Sequence, residues 1–200
     1  MDENARSLNE GREGLNRALG RIAWASVFLY LDFNLNMGSA SINLLPEWAG
    51  YALIFGALKP LAEWVRSARL LRPLSDVLMW WTLALWLLAM LGLDTQSGWW
   101  YLPQIVASLI SIYLWFQLLT NLAELAAGFG LARERSLRRL RNFSTVLQTL
   151  MYLPWDYVLP ESEELLTAIG AAALIAGLTV IIWTFSALFG LRRDVRSLEE

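Results

Sequence analysis

Three stretches of this chain stay apolar for long enough to cross a lipid bilayer as helices. Val77 to Leu93 is interrupted only by Thr82, while Ile105 to Ala123 and Leu165 to Leu191 carry no charge, the last ending against Arg192 and Arg193. A helix crosses roughly 30 Å of hydrocarbon with about 20 mostly apolar residues, so all three are expected to span. Three further runs are weaker. Ile22 to Met37 is broken by Asp32, Trp48 to Trp64 contains Lys59 and Glu63, and Phe143 to Val158 contains Pro154 and Asp156. Hydropathy alone leaves these open between spanning, re-entrant and interfacial helices.

The positions of the basic residues decide between those readings. Every Lys and Arg falls in the N-terminal tail, in Lys59 to Arg72, in Arg133 to Arg141 or in Arg192 to Arg196. The segments that six helices would place on the far side, 38–47, 94–103 and 157–164, hold none, and carry Glu47, Asp94, Glu161, Glu163 and Glu164 instead. By the positive-inside rule, the expected fold is all-α: a polytopic membrane helix bundle of six transmembrane helices, arranged as three hairpins with both termini cytoplasmic. Deleting one weak helix would put an arginine cluster on the wrong side. Deleting a whole hairpin keeps the parity, so four spans are the alternative. The implied organisation is a cytoplasmic tail over 1–21, a transmembrane domain over 22–191 and a second cytoplasmic tail over 192–200, with Ala126 to Asn142 as a basic, amphipathic inner loop. Trp48, Trp99, Trp100, Tyr101 and Tyr157 fall near the outer ends and Trp64 near an inner end, as interfacial aromatics do.

Composition narrows the chemistry. With 56% hydrophobic and 17% charged residues, the 200-residue chain is too apolar for a water-soluble domain, and a net charge of −2 supplies no field to draw nucleic acid. It has no cysteine and no histidine. Disulfides, thiol nucleophiles, thiolate or imidazole metal sites, histidine-ligated haem and Ser-His pairs are therefore excluded. No catalytic set, cofactor site or metal site is expected. The first 21 residues balance four acids against four arginines, unlike the basic start of a signal peptide.

Leu-Pro pairs at Leu45-Pro46, Leu102-Pro103 and Leu159-Pro160 recur every 57 residues, whereas Asp32, Asp94 and Asp156 recur every 62. The unequal registers point to repeated topology rather than duplication. Ala168, Ala172 and Ala176, with Ala173 and Gly177 beside them, form a small-residue face, as do Ala52 and Gly56. Contacts within the monomer are the expected use of both, with a membrane protein partner or a homo-oligomer as the second reading.

The candidate polar site starts at Asp32, roughly 16 Å into the bilayer counting from Arg21. A carboxylate there is expected to be neutral, paired or facing a wet cavity; a short first helix with a thinned outer leaflet is the bland alternative. Asn36 is expected one helical turn on, along the same face. Across the first hairpin, Glu47 suits the first turn of a helix, Gly50 permits close approach of the first helix, and Tyr51 is placed to donate a hydrogen bond to Asp32. Lys59, about 13 Å further in, is expected to snorkel. Gln117, Thr120, Asn121 and Glu124 share the inner half of one helical face, for which helix-to-helix hydrogen bonding is the common meaning and a polar route from Asp32 the sharper one. Pro154 kinks the fifth helix near Asp156, and an Asp32–Asp156 pair would be the one enzyme-like arrangement available, an intramembrane hydrolase. Arg133, Arg135, Arg138, Arg139 and Arg141 set topology, with anionic lipid binding as a second role.

Asp32, Leu45-Pro46, the acid at 47 and Gly50-Tyr51 together resemble a motif of uncharacterised multi-pass integral membrane proteins from Gram-positive, clostridia-like bacteria. The resemblance covers residues 30 to 61, and Trp48 stands where a smaller aromatic is expected. It implies a bacterial cytoplasmic (plasma) membrane protein and brings no activity with it. The expected function is a non-catalytic membrane scaffold or partner-binding subunit; the alternative is a small transporter, channel or transport-accessory subunit that uses Asp32.

Overall fold

The computed structural model describes residues 2–31, 34–37, 40–43, 45–93, 98–151 and 163–198. Among these, six α-helices account for nearly all the regular structure: α1 (Asp2–Tyr30), α2 (Glu47–Trp64), α3 (Arg72–Met90), α4 (Tyr101–Gly128), α5 (Arg133–Met151) and α6 (Glu163–Arg196). Short 3-10 helices, Arg66–Leu71 and Gly98–Trp100, precede α3 and α4. Three helical segments are long and apolar enough to cross a membrane: Arg66–Met90, Tyr101–Gly128 and Thr167–Arg196. They match the three strong runs of the sequence.

Two weak runs take a different form from the one expected. The residues assigned to an N-terminal tail are the first half of α1. Leu15, Ala18, Leu19 and Ile22 are buried at helical spacing while Arg12, Arg17 and Arg21 stay exposed, the pattern of an amphipathic helix. In the same way, Ala126 to Asn142 is not a loop. α4 continues to Gly128, and α5 starts at Arg133, burying Leu137, Leu140 and Ser144. A hydropathy window sees only the uncharged part of such helices.

At the other end of α1, the expected helical continuation to Met37 is replaced by a hairpin. Strands β1 (Asn34–Met37) and β2 (Ala40–Asn43) pair antiparallel, with Asn34 opposite Asn43 and Asn36 opposite Ser41. Asn36 therefore does not extend a helical face beyond Asp32. The cause lies in the residues: Asn34-Leu35-Asn36-Met37 alternates polar and apolar with period two, and asparagine is a poor helix former.

Helix ends follow local chemistry. Pro46, with extended backbone angles, precedes α2, and Pro73 and Pro103 sit in the first turns of α3 and α4, where a missing N–H costs no helical bond. α3 and α4 both stop at a glycine of positive φ. Gly92 N bonds Ala89 O and Leu93 N bonds Leu88 O; Gly130 N bonds Ala127 O and Leu131 N bonds Ala126 O. These paired bonds satisfy the last carbonyls of each helix.

Each helix packs on the next in sequence, and α6 closes the ring on α1. Antiparallel α1 and α2 meet at Gly50, where an added Cβ would lie 2.7 Å from Leu29 Cγ and 3.2 Å from the Ala25 carbonyl. This is the close approach expected of that glycine. Lower on the same pair, Pro60 leaves the Gly56 carbonyl without its helical donor, and the Arg21 guanidinium donates to it at 2.9 Å.

The arginines gather at one end of the ring. Arg192 Nε donates to Asn16 of α1, Arg133 pairs with Asp194 of α6 at 2.6 Å, and Arg141 donates to Thr120 of α4 at 3.1 Å. The core lies toward this end. On α3 the buried positions stop at Leu78, on α4 they begin at Leu114, and on α6 they begin at Val180. Beyond these points the described residues of the three apolar segments are exposed or half-buried. Ala168, Ala172 and the glycine at 177 lie on that part of α6, and no atom of the described residues lies within 4 Å of a Cβ built at Gly177. Packing within the described monomer does not use this small-residue face, contrary to expectation.

Candidate functional site: a polar cavity opposite the arginine end

At the end of the ring remote from the arginines, five helices enclose a cavity of about 450 Å³. α1 contributes Tyr30 from its last turn, α2 contributes Glu47 and Tyr51, and α5 contributes Gln148. From α3 come Trp81 and Thr82, and from α4 come Gln104, Ser108, Ser111 and Trp115. The α4 residues fall at i, i+4, i+7 and i+11, which is one face of a helix.

Hydrogen bonds hold the walls in place. The Tyr51 hydroxyl shares a 2.9 Å hydrogen bond with Ser111, and Ser75 donates to the Tyr51 carbonyl at 2.9 Å, tying α2 to α4 and α3. The Tyr30 hydroxyl faces Thr184 of α6 and Gln148 of α5. Its ring leans on Trp115 with centroids 5.7 Å apart.

Among the described residues, Glu47 is the one charged group lining the cavity. It occupies the first turn of α2, where unpaired backbone N–H groups favour a carboxylate. No Lys or Arg occurs in residues 22–58, 73–132 or 142–191. The cavity thus combines a carboxylate, hydroxyls, amides and aromatic faces. Such a lining accepts hydrogen bonds and favours positive charge. Its apolar lining includes Leu29, Leu78 and Leu85, and on α2 and α4 the positions one turn further toward the arginine end, Ile54, Leu114 and Leu118, are fully buried.

The expected site residues divide. Tyr51 lines the cavity. Gln117 and Asn121 belong to a separate cluster about 15 Å further along α4, where Ser67 donates to Asn121 Oδ1 at 2.8 Å and Gln117 donates to the same oxygen at 3.3 Å. Thr120 accepts from Arg141, so this face serves helix-to-helix bonding. Glu124 is exposed beside Trp64 and Phe129. Asp32, from which the expected route starts, and Asp156 lie outside the described residues, as does the proposed pair between them. Asn36 stands in β1.

Tyr30, Thr82, Gln104, Ser108, Ser111 and Gln148 were not anticipated from the sequence. The α4 trio was detectable as a polar stripe at helical spacing; Tyr30 and Gln148 reach the cavity only through closure of the ring. Of the α5 arginines, Arg133 is paired with Asp194, Arg138 with Glu134, and Arg141 stacks on Phe116 with 4.6 Å to the ring centroid. Arg135 and Arg139 are exposed.

Compared with protein-family models, curated proteins and solved structures, the chain matches none.

Proposed function

We propose that this protein is a six-span membrane protein, with both termini cytoplasmic, that takes a small polar organic solute, neutral or cationic, from the opposite face of the membrane. The resemblance around Asp32 and Gly50-Tyr51 favours a bacterial cytoplasmic membrane. Transport, or solute capture as a transport-accessory subunit, is the activity this reading gives it. The supporting observation is the cavity itself: a lining of hydroxyls, amides and aromatic rings with one carboxylate among the described residues, beside helices with long apolar segments. The gathering of Arg21, Arg133, Arg141 and Arg192 at one end supports the orientation.

The test is binding of choline, tetraethylammonium and glycerol to purified protein, followed by thermal shift and calorimetry. A cation probe is expected to bind, and Glu47→Gln to weaken it by about fivefold or more while leaving glycerol unaffected, since one charge interaction at short range is worth about 1 kcal/mol even in a wet site. No binding by any probe, or equal binding by Glu47→Gln, would refute the reading.

A partner-binding scaffold is the second reading, supported by the exposed Ala168 and Ala172 and the half-buried Gly177 on α6. It predicts a co-purifying protein or a homo-oligomer that Ala172→Leu disrupts; a monomer without partners, unchanged by that substitution, contradicts it.

A further inference from the structure

The 3-10 helix Arg66–Leu71 leads directly into α3, within the apolar segment Arg66–Met90. Residues three apart are eclipsed on a 3-10 helix, so Arg66, Arg69 and Arg72 are brought toward one side. Two of them converge with Lys59 of α2. Lys59, Arg69 and Arg72 border a pocket of about 330 Å³, whose floor is Leu58 and Ala62 and whose rim includes Glu63. Arg66 borders the adjoining pocket.

Three features give this cluster a direction. It holds three cations against one carboxylate, and among the described residues no carboxylate lies within ion-pairing distance of Lys59, Arg69 or Arg72. The α5 arginines differ, because three of those five are engaged within the protein. Arg72 is held in place by stacking on Phe55, 4.7 Å from the ring centroid, which leaves guanidinium N–H groups to face outward. Between Arg69 and Arg72, Leu70 is 74% exposed although Ala68 and Leu71 beside it are buried. An exposed leucine flanked by cations suits the boundary between acyl chains and headgroups.

We infer that Lys59, Arg69 and Arg72 form a binding site for the phosphate of an anionic phospholipid, with Leu70 resting against its acyl chains. Guanidinium groups offer paired donors to phosphate oxygens, and the lysine adds a mobile third donor. The site is independent of the outer cavity. It depends on α3 entering the bilayer near Leu70.

The test uses the full chain in nanodiscs of phosphatidylcholine, with and without one-tenth phosphatidylglycerol, with bound lipid counted by native mass spectrometry after mild extraction. Each cation near an anionic surface contributes about fivefold in affinity. Replacing Lys59, Arg69 and Arg72 together by Gln is therefore expected to lower phosphatidylglycerol retention by roughly a hundredfold, and Lys59→Gln with Arg69→Gln, which keeps the Arg72–Phe55 stack, by roughly twenty-five-fold. Both variants should melt as the parent does in pure phosphatidylcholine. Arg135→Gln with Arg139→Gln should retain the lipid. Unchanged retention in both pocket variants overturns the assignment. So does a loss confined to the α5 variant, or displacement of the retained phosphatidylglycerol by millimolar inorganic phosphate added before extraction, which would assign the site to free phosphate.

Discussion

Replacing Gly50 with alanine probes the contact on which the α1–α2 pairing rests. A methyl group at this position would lie 2.7 Å from Leu29 Cγ and 3.2 Å from the Ala25 carbonyl. Rotating Leu29 relieves the first contact, but the second is with backbone and requires α1 to move. Overpacking of this kind costs about 1–3 kcal/mol. Alanine also lowers the unfolded-state entropy and improves helix propensity, a gain of up to about 1 kcal/mol, which masks part of the strain. Gly170→Ala isolates that gain, because Gly170 is exposed in α6 and no atom of the described residues lies within 4 Å of an added Cβ. The difference between the two variants is therefore the strain alone. At about 2–4 °C per kcal/mol for a chain of this size, Gly50→Ala should melt about 2–12 °C below Gly170→Ala in the same detergent. Intrinsic fluorescence is a suitable readout, since the chain has 11 tryptophans and Trp115 lies in the core. Equal upward shifts for both variants would show that α1 and α2 do not meet at Gly50.

Two other perturbations follow from single contacts. Tyr51→Phe removes the hydrogen bond to Ser111 and should cost about 0.6 kcal/mol, typical of interhelical bonds in membranes; a loss above about 2 kcal/mol would mean that the hydroxyl has a larger structural role. Arg133 and Asp194 make a two-pronged ion pair, at 2.6 Å and 3.4 Å, with both side chains partly exposed. A double-mutant cycle with Arg133→Gln and Asp194→Asn should return a coupling of about 1 kcal/mol, near the upper end for solvent-screened pairs, and a coupling indistinguishable from zero would remove this link between α5 and α6.

Much of the fold was legible along the chain, because uncharged runs of membrane length leave few alternatives. α2, α3, α4 and α6 lie where the apolar runs lie, the described Leu-Pro pairs fall at helix starts, and Gly50 takes the close approach its size permits. The amphipathic halves of α1 and α5 were missed because their arginines lower the local hydropathy, although Leu15, Ala18, Leu19 and Ile22 already carry the helical spacing. The hairpin had its own signal in the alternation of Asn34 to Met37, which was outweighed by continuity with the run before it.

The cavity was less legible for a physical reason. Gln104, Ser108 and Ser111 form a readable stripe, but Tyr30, Glu47 and Gln148 lie on three other helices, α1, α2 and α5, and meet that stripe only when the bundle packs. The bond from Arg21 to Gly56 was half visible, since Pro60 marks the freed carbonyl but not the donor that reaches it.

The central claim is that the arginine end faces the cytoplasm while the cavity opens on the opposite side, and cysteine accessibility tests it directly. The native chain has no cysteine, so single probes need no background removal. In intact cells, an impermeant maleimide should modify Ser108→Cys, and should reach Arg139→Cys only after the membrane is permeabilised. Modification of Arg139→Cys in sealed cells, with Ser108→Cys protected, would contradict the account.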